Sequence, residues 1–478
     1  MNLALFLPAI AEIFLAFAAL VVVILGAFSK PSTATGWFYV AMLAIVFSLI
    51  LAVRKYTGIT MAFDRMFIQD NLALAFKCMI GAGAFLALAL SIPYFTRRNA
   101  AKFEYPLIIL LATIGMFGMV SAQDFLGLYV SLELQSLSLY VLASFHRDDR
   151  LSAEAGLKYF FLGALSSGIL LYGISLLYGY TGSTSYITIA NTLAAHEVVN
   201  PGVIIGLVLV LCGIGFKVAA APFHMWAPDV YQGAPTPVTA LFAMAPKAAA
   251  IGVICRLISS PFAPVFEQTQ QILVALSIIS MAVGAFAAIA QRNVKRLMAY
   301  SSIGHIGFIL LSLAAGGQAG INGAIFYSVI YIIMSAGSFA TILAVYDAHE
   351  GDEQTAYFSG LAKRHPVFAA SFAALLLSMA GIPPFVGFFA KVAVFTAAVQ
   401  ANLTWLVVLG VLFSVVSAFY YLRLIKIMYF DAPFEDAAVL TPSRLWVFIA
   451  VLSALLNLAL LIYPAPLSQF ASWASQLQ

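Results

Sequence analysis

Five lysines and one glutamate stand inside long apolar runs: Lys77, Lys158, Lys217, Lys247, Lys391 and Glu133. A charge at mid-membrane depth costs from about 2.5 to more than 10 kcal/mol, so such residues usually face a polar interior and mark ion routes. Desolvation favours the neutral amine and the protonated carboxyl, and an opposite charge nearby reverses both. A lysine poised between these influences can take up and release a proton at neutral pH, so the chemistry these residues suggest is proton transfer. Two histidines join the candidates. His224 follows Pro222-Phe223, and His305 stands within Tyr300-Ser301-Ser302-Ile303-Gly304-His305-Ile306-Gly307.

Each candidate has a plainer reading. Lys77 and Lys158 lie about six residues from the ends of their runs, where snorkelling to the interface accounts for either. Glu133 is compatible with a purely structural Glu–Lys pair. Lys217, Lys247 and Lys391 resist the plain reading, because three unmatched lysines hold helices together poorly. His224 reads either as a ligand to carbonyls freed by a helix break or as a relay group. His305 reads either as a partner of its serine neighbours or as a group passing protons between two halves of the chain. Glu12, Asp124, Asp229 and Arg256 are expected at the interface, near helix ends.

The elements that position these groups follow from composition. The chain has 478 residues, 63% hydrophobic and 9% charged, with a mean hydropathy of +1.02. A soluble domain carries about 25% charged residues, so lipid must be the solvent for most of this chain. A net charge of +4, dispersed over short loops, excludes a nucleic-acid footprint. Cys78, Cys212 and Cys255 are far apart, and the six histidines show no one-turn pairing, so no iron–sulfur or zinc site is expected. The first apolar run is long enough to span, lacks a basic leader and is interrupted by Glu12, so it reads as a membrane helix and not a cleavable signal.

Runs of roughly 20 apolar residues fall at 4–28, 37–55, 71–93, 104–121, 124–145, 153–180, 202–231, 236–258, 268–290, 295–315, 319–346, 367–399, 403–430 and 443–464, fourteen helices in all. The loops after odd-numbered helices hold Lys30, Arg97, Arg98, Lys102, Arg147, Arg150, Arg292, Lys295, Arg296, Lys363, Arg364, Arg423, Lys426 and Arg444. The even loops hold Arg54, Lys55, Arg65 and Arg256. This excess of 14 over 4 puts the odd loops in the cytoplasm and both termini on the opposite side. Trp37, Tyr94, Tyr105, Tyr231 and Tyr429, near helix ends, suit an interfacial aromatic belt. Thr57–Asp70, Thr181–Asn200, Asp347–Pro366 and Asp431–Pro442 read as polar loops too short to fold alone.

Two runs are overlong and interrupted. The seventh holds Lys217 and then Ala221-Pro222-Phe223-His224-Met225-Trp226-Ala227-Pro228; the twelfth holds Gly381-Ile382-Pro383-Pro384. Proline removes a backbone donor and clashes with the preceding turn, and such breaks survive at membrane depth only inside protein or beside water. The breaks lie five helices apart. Five is odd, so a five-helix unit repeated in tandem inserts upside down the second time, a transporter arrangement. The expected organisation is an N-terminal three-helix unit (1–103), a first repeat of helices 4–8 (104–258), an inverted second repeat of helices 9–13 (259–430) and a last helix in 431–478.

The stretch Gly215-Phe216-Lys217-Val218-Ala219-Ala220-Ala221-Pro222-Phe223-His224-Met225-Trp226-Ala227-Pro228-Asp229, running on to Gly233-Ala234-Pro235-Thr236-Pro237-Val238, resembles the signature of antiporter-like membrane subunits. These occur in respiratory complex I, multi-subunit Na⁺/H⁺ antiporters and membrane-bound hydrogenases. Within that family the chain looks like the N-type subunit of bacterial proton-pumping NADH:quinone oxidoreductase. The features are Leu132-Glu133-Leu134-Gln135-Ser136-Leu137 with Tyr140, a lysine (Lys391) in helix 12, and only a short tail after helix 14.

The resemblance implies functional roles for Glu133, Lys217, Lys247 and Lys391, and it raises Lys158 to a candidate. It implies a subunit with no redox group of its own, with FMN and iron–sulfur clusters on partner subunits. It also implies neighbours that include other antiporter-like subunits, no self-association, and residence in a bacterial inner membrane. The expected route loads Lys247 from the cytoplasm through Lys217 and His224, with Glu133 paired to Lys217, and continues through His305 to Lys391. The rival readings are a Na⁺/H⁺ antiporter subunit, which shares the main motif, and a scaffold whose buried charges merely hold partners.

Overall fold

The computed structural model describes residues 3–195, 200–348, 353–433 and 441–476; His196 and His349 lie outside these. The apolar runs become helices α1 (Ile10–Ala27), α2 (Ala34–Arg54), α3 (Asn71–Arg97), α4 (Glu104–Ser121), α5 (Phe125–Ala143) and α6 (Arg150–Thr181). The seventh is split into α7a (Pro201–Val218) and α7b (Trp226–Gly233), and is followed by α8 (Thr236–Ser259), α9 (Phe266–Ile289), α10 (Val294–Ala315) and α11 (Gly317–Ala348). The twelfth is split into α12a (Pro366–Ala380) and α12b (Val386–Gln400), and α13 (Thr404–Phe430) and α14 (Arg444–Ile462) complete the set. Among the described residues thirteen helices are long and apolar enough to cross a membrane. The α12 pair makes the fourteenth crossing expected from the sequence.

The polar stretch before α3 contains a short hairpin, Thr60–Ala62 paired antiparallel with Phe67–Gln69. Two further helices, Tyr186–Ala194 and Ala465–Ala474, lie outside the spans. Each buries one side only, with Tyr186, Ile189 and Leu193 inward in the first.

The two five-helix units pack alike. In each, the first two helices lie against one another, α4 on α5 and α9 on α10, and the fifth helix returns to the first. Glycine permits the first contact in both. A Cβ on Gly115 would meet the Gln135 backbone nitrogen at 2.6 Å, and one on Gly284 would meet that of Gly304 at 2.4 Å. Without water to drive association, close backbone approach of this kind supplies the van der Waals contact that joins membrane helices.

The breaks are also alike. Each first half-helix ends on a left-handed residue, Ala219 (φ 60°) or Gly381 (φ 79°), and each is followed by a cis proline peptide, Ala221–Pro222 or Pro383–Pro384. Each end is closed by a bond back over the last turn, from Ala220 N–H to the Gly215 carbonyl (2.8 Å) and from Ile382 N–H to the Leu377 carbonyl (3.1 Å). This closure satisfies carbonyls that the missing next turn leaves open. Freed donors find serines: Ala221 N–H donates to Ser280 Oγ (2.8 Å), and Gly387 N–H donates to Ser378 Oγ (3.0 Å). A break so satisfied can persist at membrane depth.

Burial grades outward from the middle. α8 is buried along its whole length and α10 nearly so, whereas α1, α2, α13 and α14 turn most of their surface outward. Three of the five aromatics expected in an interfacial belt are inside instead: Tyr94, Tyr105 and Tyr231 are buried. Their hydroxyl ends are wrapped by neighbouring helices, a consequence of helix count that single-helix reasoning does not register.

Candidate proton-transfer site

The two most enclosed helices carry the centre of the site. Lys247, eleven residues into α8, donates to Ser302 of α10, and its ammonium lies 5.7 Å from the Tyr231 ring centre. The neighbouring Ser301 is 2.5 Å from Tyr421 Oη of α13. Tyr421 Oη is 3.0 Å from Nε2 of His305, and Nδ1 of His305 is 2.7 Å from Tyr327 Oη of α11. Tyr331 packs its ring 5.1 Å from the imidazole. His305 therefore bonds tyrosines from two other helices and not its serine neighbours directly; Tyr421 Oη bridges Ser301 and His305, one turn apart on the same face of α10. Phe308, one turn further, stacks on Tyr327 and lies 4.9 Å beneath the Lys391 ammonium. The groups Lys247, Ser302 and Ser301, Tyr421, His305 and Tyr327 lead from the first repeat into the second, with hydrogen bonds joining Lys247 to Ser302 and Ser301 through Tyr421 and His305 to Tyr327; the Phe308 ring stands between Tyr327 and Lys391. Hydroxyl and imidazole groups both accept and donate, which is what proton hopping requires.

Lys391 donates to the Ala380 carbonyl that ends α12a (2.7 Å) and to Ser414 Oγ (2.7 Å). Lys217, the penultimate residue of α7a, donates to Ser136 Oγ (2.8 Å) and Tyr140 Oη (3.4 Å) of α5. The expected Glu133–Lys217 pair is not made: among the described residues no ion pair joins them, and Glu133 Oε1 is buried without a hydrogen-bond partner. Lys217 lands on the middle of α5 one turn beyond Glu133, while Glu133 sits half-buried beside the outward residues Val130 and Leu137. His224 is half-buried, its Nδ1 unbonded and its ring 6.4 Å from that of Tyr300. Between Lys217 and Lys247 stand rings: Tyr140 on Tyr159, Tyr159 on Phe242, Phe242 on Tyr231. The expected loading of Lys247 through Lys217 thus meets aromatic packing and not a chain of hydrogen bonds.

Other residues depart from expectation. Lys158 is half-exposed and bonds Glu154 (2.8 Å) and Asp229 (2.6 Å), outside the central chain. Asp229, expected at the interface, ties Lys158 of α6 to Arg296 of α10. Lys77 does not snorkel. It is fully buried, 2.6 Å from Glu12 and 2.5 Å from Gln69 Oε1, because α1 and the hairpin close over it. Arg256 is also buried, in a two-point bond with Asp70 (2.9 and 2.8 Å). Asp124 is buried as the cap of α5 and accepts from Thr184 Oγ1. Lys295, counted among loop charges, is buried against Glu353 (2.6 Å).

Sequence reasoning missed the tyrosines. Tyr327 and Tyr331 one turn apart, and the adjacent Tyr420 and Tyr421, are polar groups deep in apolar runs. That depth was the available signal.

A family model described as NADH:quinone oxidoreductase/Mrp antiporter, TM, matches residues 122–417. The chain is 47% identical over 476 residues to NADH-quinone oxidoreductase subunit N of Paramagnetospirillum magneticum, covering 98% of this chain and 97% of that one. It is 48% identical over 458 residues to the subunit of the same name from Rhodospirillum rubrum, covering 94% and 93%. Among solved structures, a chain of respiratory complex I from Thermus thermophilus shares 31% identity with a TM-score of 0.81, covering 97% of this chain and 99% of its own. A chain of the Mrp complex from Dietzia shares the fold at 23% identity, with a TM-score of 0.85 and coverage of 99% and 97%. The chain belongs to the NADH:quinone oxidoreductase/Mrp antiporter family of membrane subunits, within the group of NADH-quinone oxidoreductase subunit N proteins.

Proposed function

We propose that this chain is a proton-translocating membrane subunit of an NADH:quinone oxidoreductase, and that protons cross it by way of Lys247, His305 and Lys391. The observation that carries this reading is the set of buried hydroxyl and imidazole groups between the two lysines, of which Ser301, Tyr421, His305 and Tyr327 are joined by hydrogen bonds. NADH oxidation and quinone reduction take place on other subunits, which hold the FMN and iron–sulfur clusters; this chain contributes the buried bases. Charge displaced in a neighbouring subunit acts strongly across a medium of low dielectric, and that is how the distant chemistry would drive protons off the lysines. Glu133, half-buried beside the outward residues of α5 and one turn from the Ser136 that holds the buried Lys217, is the group best placed to sense such a neighbour. Lys158 and His224 are assigned peripheral roles.

The charge asymmetry of the loops supports an inner-membrane orientation with the odd loops cytoplasmic and both termini periplasmic. The matching breaks support the division into 1–103, 104–258, 259–430 and 431–478. The antiporter alternative is not favoured, since the relatives at 45–49% identity are named NADH-quinone oxidoreductase subunit N. The test is Lys247→Ala and His305→Ala in the assembled complex, with proton pumping in membrane vesicles read against NADH oxidation. Loss of pumping with the complex still assembled is expected. Pumping that survives both variants would leave the buried charges a scaffold role only.

A further inference from the structure

One cluster of titratable groups lies outside the path described. Two cavities, of about 520 and 150 Å³, adjoin at the side carrying the basic loops, and Tyr94, His146, Asp149 and Tyr346 line both. The outer one opens among Arg98, Lys102 and Arg147; the inner one is bounded by Lys295 and Glu353 and by the turn Gln232–Pro235. Lys295 is held from two directions, 2.6 Å from Glu353 Oε1 and 2.8 Å from the Ala234 carbonyl. Glu353 is itself fixed. Its carbonyl accepts from Val294 N–H (2.8 Å), its Oε2 accepts from Asn293 Nδ2 (3.1 Å), and the next residue forms a β-bridge with Asn293.

The inner cavity points at Lys247. Ala234 lies three residues from Tyr231, whose ring is against the Lys247 ammonium and whose hydroxyl is buried. Along α10, Lys295 and Ser302 are seven residues apart, two turns on one face and roughly 10 Å, and Ser302 accepts from Lys247. The route through Lys217 is filled by rings, whereas here the inner cavity ends at Lys295 and the Ala234 carbonyl, two helical turns from the Ser302 that accepts from Lys247.

We propose that the paired cavities are the proton inlet to Lys247, with the buried Lys295–Glu353 ion pair as its gate. Opening requires only that the pair part: the freed Glu353 carboxylate takes up a proton from the cavity, and the resulting carboxylic acid hands it inward past Tyr231 and Ser302 to the neutral Lys247 amine, returning to the carboxylate that re-forms the pair. His146, bonded to Tyr94 Oη at 3.3 Å where the cavities meet, stands as the outer relay. Arg98, Lys102, Lys295 and Asp149 are the charges that act on it. The proposal rests on the reading that Lys247 carries the proton.

The test uses the whole complex in vesicles whose basic-loop side faces outward. Leu151 lines the inner cavity; Leu151→Cys is treated after assembly with a membrane-impermeant methanethiosulfonate, and labelling is verified by mass. The unsubstituted chain, which carries Cys78, Cys212 and Cys255, is treated in parallel. Expected is a fall of pumping and NADH oxidation together to a small fraction, restored by dithiothreitol and absent from the control. Glu353→Gln should lose pumping while Glu353→Asp keeps it. Complete labelling without effect, or normal pumping in Glu353→Gln, overturns the inlet alone. Normal pumping in Lys247→Ala overturns the underlying reading, and the inlet with it.

Discussion

The two broken helices share a backbone but not a lysine position. Both halves end in a left-handed residue, a bond back over the last turn and a cis proline. Lys217 stands before its break and binds only side-chain hydroxyls; Lys391 stands after its break and reaches back to the carbonyl at the end of α12a. The Ala380 carbonyl only accepts, so Lys391 must keep an N–H turned to the helix end, with Ser414 Oγ its one adaptable partner. Hydroxyls can accept from an ammonium or donate to an amine, and both partners of Lys217 are of that kind. The repeats thus reuse one break for two tasks: in the second, the lysine is part of the helix end; in the first, it is free to respond to charge around α5.

The strongest way to break this comparison is to remove each lysine. Lys217→Met and Lys391→Met should both abolish most pumping. Only Lys391→Met should also destabilise the protein, by about 1–3 kcal/mol for the orphaned Ala380 carbonyl, read as a lower melting temperature of the purified complex. Equal stability of the two variants would contradict the assigned difference.

The break residues come next. Gly381 has φ 79°, and a Cβ there would meet Lys391 Cδ at 2.7 Å. Gly381→Ala should therefore cost roughly 1–2 kcal/mol of backbone strain and displace the lysine, with a matching loss of pumping. Ala219→Gly, at a position already left-handed, should change stability by no more than about 1 kcal/mol.

Smaller effects separate the hydroxyls. Tyr421→Phe removes contacts to both His305 and Ser301, and pumping should slow by roughly thirtyfold, the equivalent of two hydrogen bonds near 1 kcal/mol each. Tyr140→Phe leaves Lys217 its bond to Ser136, and the loss should be about fivefold or less.

The smallest expected effect is on pH dependence. Burial, with Arg98, Lys102 and Lys295 assisting and Asp149 opposing, holds the His146 imidazole below its ordinary value of 6.5. The unfolded chain then binds the extra proton more readily than the folded one. Stability should be full above the ordinary value and fall as the pH drops through about 6.5. His146→Gln should flatten that part of the melting-temperature profile.

Much of this was legible in the residues themselves. Length and apolarity of each run gave fourteen crossings, and Pro222 and Pro383-Pro384 located both breaks, because the cost of exposing backbone to lipid acts on each helix alone. The same cost, applied to charge, singled out Lys217, Lys247 and Lys391. What the residues did not reveal was pairing. Lys77 looked like a snorkeller at its depth, and only the closing of α1 and the hairpin over it makes it a buried partner of Glu12. Arg256 and Lys295 were counted with the loop charges, yet both are buried against carboxylates distant in sequence, Asp70 and Glu353.

The sequence by itself determined that buried bases exist in two similar units, because insertion into lipid is a property of a single segment. Only the tertiary structure decided which bases are connected. It bonded His305 to Tyr327 and Tyr421, set Lys217 on Ser136 and Tyr140 beyond Glu133, and filled the space between Lys217 and Lys247 with rings. The reason is geometric: proton transfer depends on hydrogen-bond distances of about 3 Å between atoms, and in a bundle those distances are set by how helices far apart in sequence rotate and pack against one another.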